Sequence, residues 1–103
     1  MRMVQVKDLG SKVGYLTTVL SFNNDKAFPE MARVLGLIKD AGGNKGSIRF
    51  RYKILSGPRA GRVFSSGAFE EQRVAIWHRR CPEFDRYFRK MKRSFTKAAK
   101  KGK

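Results

Sequence analysis

An α+β fold is predicted, a small two-layer sandwich in the order strand, helix, strand, strand, helix, with a basic C-terminal helix and tail. Three observations predict it. Residues 15–22 form a β-branched and aromatic run, residues 48–54 alternate strictly between apolar and basic, and residues 26–40 and 82–95 repeat their apolar side chains at helical spacing. With 103 residues, 41% of them hydrophobic, the chain can build one core but not two of ordinary size. The expected division is an α+β core over 1–81 and a basic amphipathic helix with tail over 82–103.

Each element has its own signal. Around Met3–Lys7, Val4 and Val6 alternate with polar neighbours, which suits a short edge strand broken by Gly10-Ser11. Tyr15 to Phe22 reads as a buried strand. Asn23-Asn24-Asp25 then offers turn and N-cap oxygens to a helix from Lys26 to Asp40. Its apolar face is Phe28, Met31, Leu35 and Ile38, widened by Val34 and Leu37; Pro29 falls in its first turn and Gly42-Gly43 stops it. From Ile48 to Leu55, Ile48, Phe50, Tyr52 and Ile54 face one way and Arg49, Arg51 and Lys53 the other. A Gly/Pro turn at 56–61 joins this strand to a second one resuming at Arg62–Ser65 as a hairpin. Residues 68–80 are expected as a helix capped by Ser66, with a short strand at Val74–Trp77 as the alternative. Pro82 starts the final helix, whose stripe is Phe84, Tyr87, Phe88, Met91 and Phe95, and Thr96–Lys103 is expected to fray.

Charge is the strongest functional signal. Lys and Arg number 24 against 8 Asp and Glu, a net charge of +16. Residues 1–48 carry 7 basic and 4 acidic side chains, residues 49–103 carry 17 and 4, and from Arg86 onward there are 9 bases and no acid. Such an excess repels itself in a compact fold unless a polyanion lies against it. Nucleic acid is the natural partner, because each neutralised phosphate releases condensed counterions. The candidate RNA-binding residues are therefore Arg49, Arg51, Lys53, Arg59, Arg62, Arg86, Arg89, Lys90, Lys92, Arg93, Lys97, Lys100 and Lys101. Alternate residues of a strand stand about 6.6–6.8 Å apart, comparable to successive phosphates of an extended backbone. The aromatic stripe of the last helix is assigned to packing, with base stacking as the rarer use of such a face.

Other chemistry finds little support. The loop Gly57-Pro58-Arg59-Ala60-Gly61-Arg62 lacks the Gly-Lys-Ser/Thr end of a nucleotide-hydrolysing loop. His78 and Cys81, the only residues of their kinds, have no acid clearly placed to orient the imidazole, and two such ligands are too few for zinc. No enzyme activity, cofactor, metal or small-molecule substrate is expected. No apolar run is long enough to span a bilayer, no secretory signal follows Met1, and a lone cysteine suits a reducing compartment.

Leu20-Ser21-Phe22-Asn23 closing a strand, Met31-Ala32-Arg33-Val34-Leu35 on the following helix, and the hairpin from Ile48 through Gly57 and Gly61 to Phe64 resemble one known group. This is the thioredoxin-like group shared by several mitochondrial ribosomal proteins and an accessory subunit of respiratory complex I, whose members lack the redox Cys-x-x-Cys, as does this chain. A ferredoxin-like arrangement fits the element order as well. The resemblance implies a structural component of a large assembly. The expected function is thus a structural constituent of a ribosome, mitochondrial rather than cytoplasmic, contacting rRNA and neighbouring ribosomal proteins. The alternatives are a free-standing nucleic-acid-binding protein or a protein-binding accessory subunit of a membrane enzyme.

Overall fold

The computed structural model describes residues 1–23, 26–38 and 47–101. Six strands and one helix follow in chain order: β1 (Arg2–Gln5), a 3₁₀ segment (Val6–Ser11), β2 (Leu16–Asn23), β3 (Lys26–Ile38), β4 (Ser47–Ile54), β5 (Val63–Phe69), β6 (Arg73–Ile76) and α1 (Pro82–Lys101). Strands β2-β3-β4-β5 form an antiparallel meander, while β1 and β6 form an antiparallel pair. Two bonds between Leu16 and Trp77, of 2.7 and 2.8 Å, attach that pair to β2.

The architecture is a curled sheet with one external helix, which overturns the α+β sandwich, thioredoxin-like and ferredoxin-like alike. The decisive element is β3, where a helix is predicted. Residues 26–33 pair with β2 and residues 32–38 pair with β4, so the sheet turns a corner along one long strand. Three features disguise β3 in the sequence. It is buried on both faces, Ala32 and Val34 entering the core inside the curl while Met31 meets α1, so no in–out alternation survives. The register shifts between Val34 and Gly36, and Gly36 takes φ +150°, a conformation that side chains disfavour. This bulge returns Leu37 to the core three residues after Val34, a helix-like interval produced by a strand. Pro29 falls where β3 pairs with β2 but not yet with β4, so its missing N–H disturbs no ladder bond on the β4 side. Both the proposed cap at Asn24-Asp25 and the stop at Gly42-Gly43 lie outside the described residues.

The expected helix over 68–80 is also replaced. Val63–Phe69 and Arg73–Ile76 are strands, and Gln72 N–H donates to the Phe69 carbonyl at 3.1 Å in the turn between them. The strand alternative at Val74–Trp77 was the physically better reading, because Thr17 and Leu16 both bond this segment. At the end, α1 continues to Lys101 where fraying from Thr96 is expected.

Other expectations agree with the structure. β2 and β4 fall where the runs place them, and β4 with β5 makes the predicted hairpin, closed by Gly61 N–H to the Ile54 carbonyl at 2.7 Å. Inside the curl, Val19, Val34, Ile48, Phe50, Tyr52, Ile54 and Ile76 form the main core, with Val6 and Leu9 of the 3₁₀ segment among them. A second cluster outside the curl joins Leu16, Met31 and Trp77 to Phe84 and Phe88 of α1. No described helix is long and apolar enough to cross a membrane.

Candidate nucleic-acid interface

Cross-strand partners project from the same side of a sheet. Arg33, Lys53 and Val63 therefore share one row, Gly36, Arg51 and Ser65 the next, and Ile38, Arg49 and Gly67 a third. Ile48, Phe50, Tyr52 and Ile54 are buried on the opposite side, which forces Arg49, Arg51 and Lys53 outward, and all three are exposed. Arg51 and Arg49 lie beside Ser65 and Gly67 of β5. The result is a basic outer face of the curled sheet with Arg33 as its fourth cation; no acidic partner meets these four among the described residues.

Arg33 escaped the sequence reading because a helix was expected there. In β3 it stands opposite Lys53, with Nη1 donating to the Gly14 carbonyl at 3.0 Å. Beside it opens a cleft of about 310 Å³ between the sheet and the start of α1, lined by Arg33, His78, Arg79 and Arg80 over an apolar floor of Leu16, Met31 and Phe84. The run His78-Arg79-Arg80 was the available signal for this cluster. It lies between the sheet face and the start of the helix.

On α1, Phe84 and Phe88 anchor the apolar stripe. At about 100° per residue, Arg86, Arg89, Lys90 and Arg93 point away from that stripe, and all four are exposed, as is Lys92 nearer the sheet. Lys97, Lys100 and Lys101 continue the same helix. The first-turn acids are already engaged: Glu83 with the N-terminal ammonium and Asp85 with Arg80 Nε, each at 3.1 Å. Beyond Asp85 the helix bears cations without acids.

Two predicted contacts are placed differently. Arg59 turns inward, its guanidinium hydrogen-bonded to Glu30 and Ser21 and stacked over Phe64 at 4.5 Å. Glu30 is 2% exposed. Burial pushes its carboxyl up, but the hydrogen bonds from Arg59 and Ser21 and the Arg59 charge outweigh this and hold it below its ordinary value. Arg59 is thus a clamp between the 56–61 turn and β3, with its charge neutralised. Arg62 is exposed at the end of that turn, displaced from the β4 row.

His78 and Cys81 do not share a helix, since α1 begins at Pro82. His78 meets Tyr15 edge-on, ring centroids 5.1 Å apart. Among the described residues no three His, Cys, Asp or Glu side chains cluster to hold a metal. No family model, curated protein or solved structure matches this chain.

Proposed function

We propose that the protein is a structural constituent of a ribosome, holding rRNA by its phosphate backbone. The observation carrying this reading is the basic face of Arg33, Arg49, Arg51 and Lys53, which lacks described acidic partners and adjoins the arginine-lined cleft and α1. A strand hydrogen-bonded on both edges presents its cations at fixed spacing, about 6.6–6.8 Å along β4. The fixed backbone presets where the cations start from, and Arg offers paired planar donors to phosphate oxygens.

The basic outer face of the sheet and the external helix suit RNA read by shape and backbone. Two cationic surfaces on one small domain can hold two RNA segments near one another, which is structural work in a ribonucleoprotein. The mitochondrial expectation stood on resemblance to a fold that this chain does not adopt, so the proposal names no compartment.

Sedimentation of the native particle through a sucrose gradient, with and without RNase, tests the reading. The protein is expected with a ribosomal subunit and released when RNA is digested. Retention after digestion would instead favour a protein-bound accessory subunit. Migration with small RNAs or DNA, free of ribosomal subunits, would favour a free-standing nucleic-acid binder.

A further inference from the structure

A second surface lies beyond the phosphate-binding rows. A groove of about 540 Å³ runs between the second half of α1, the start of β3 and the turn after β4. Phe88 and Phe95 line its helix side, Ala27 and Pro29 its strand side, and Pro58 closes the turn side. Its size falls in the range of small-ligand sites, and its lining is mainly apolar. Lys92 and Lys26 stand at its margin. Among the described residues the one acid there, Glu30, is neutralised by Arg59.

We propose that this groove receives one unpaired RNA base, stacked against Phe95, with the attached phosphate on Lys92 and Lys26. The inference rests on the backbone-binding reading and adds a base contact to it. An apolar slot margined by cations fits a flat apolar ring bearing an anion. Lys92 belongs both to the groove and to the cationic helix, so a strand held along α1 passes the groove mouth. Charge complementarity therefore selects a nucleotide over a neutral apolar segment.

The groove should accept any base. Its polar side chains are already engaged: Thr96 donates to the Lys92 carbonyl, Ser56 accepts from Met31 N–H, each at 3.1 Å, and Glu30 is held by Arg59. Stacking uses the ring face that every base has, so discrimination among bases is slight.

The test compares an RNA hairpin carrying one bulged 2-aminopurine with its fully paired counterpart, using the full chain at fixed salt. The bulged RNA is expected to bind about ten-fold tighter, the scale of one base–aromatic stack, and its fluorescence is expected to change as the base leaves the RNA stack. Phe95→Leu should remove most of that preference and leave affinity for paired RNA unchanged; Phe69→Ala, at an exposed ring on β5, should change neither. Equal affinity for both RNAs overturns the base site but leaves backbone binding standing. A preference that survives Phe95→Leu, or a bulge that binds with no change in fluorescence, also overturns it. Failure to bind either RNA overturns the backbone reading, and this inference with it.

Discussion

On β4 the cations stand on a strand bonded along both edges, between β3 and β5, with a packed core directly beneath them. On α1 they project from a helix that meets the sheet through Phe84 and Phe88, while Met91 and Phe95 farther along are only half-buried. The first region has backbone positions fixed by two ladders. The second stands on an element anchored mainly at one end. Under the proposed function, equal charge in the two regions would be unequal in use: β4 would fix the register of an RNA segment, and α1 would follow its path. A rigid row loses less entropy on binding than a mobile one.

The largest effect is expected from removing the anchor that relates the two regions. Phe84 is fully buried, and Phe84→Ala should cost about 3–5 kcal/mol, read by urea or thermal unfolding. Near-native stability for that variant would mean that α1 does not depend on this contact. Next comes the clamp beneath the basic turn. Glu30→Gln should cost about 3 kcal/mol, the low end for a buried pair because Arg59 keeps contact with water. The folded-state pKa of Glu30 is lowered, so its contribution is complete above the ordinary carboxylate range and vanishes as pH falls through the folded value. The wild type should accordingly lose stability on acidification more steeply than Glu30→Gln, and parallel pH profiles would remove Glu30 from that role.

Binding sharpens the comparison further. Replacing Arg49, Arg51 and Lys53 together with Gln should lower the magnitude of the log–log salt slope of RNA affinity by about 2–3. Replacing Arg89, Lys90 and Arg93 with Gln should change that slope by a similar amount but weaken binding less at any one salt concentration. Equal losses of affinity would show that order on the strand adds nothing beyond charge. The smallest effect belongs to Arg33→Gln, a change in slope of about 0.7–0.9 with the fold intact.

How much was legible in the chain depends on how many faces each segment buries. β4 buries one face, so Ile48, Phe50, Tyr52 and Ile54 alternate with its cations, and both the strand and its outward row of cations could be read directly. α1 also buries a single stripe, and its start at Pro82 was equally plain. β3 lies between the core and α1, and its bulge at Gly36 mimics a helical interval; there local pattern misleads. The β5–β6 hairpin was missed for another reason. Phe69, Ile76 and Trp77 can share a helical face, yet Phe69 is exposed while Ile76 and Trp77 are buried in different clusters.

The site divides along the same line. Arg51 was recognisable because its neighbours in sequence alternate with it, whereas Arg33 joins it only through the β3–β4 register. Arg59 looked equivalent to Arg62, but long-range packing set it against Glu30, 29 residues earlier.

By itself, the chain determined its charge and the crowding of that charge into the second half, the alternation of β4, and the amphipathic face of α1, since these depend only on residue type and local period. Tertiary structure alone decided that residues 26–38 extend rather than coil, which arginines stay free and which are neutralised, and that the basic strand, the arginine-lined cleft and the helix adjoin. Those outcomes depend on what each segment meets across the fold, and contacts between distant residues leave no period along the chain.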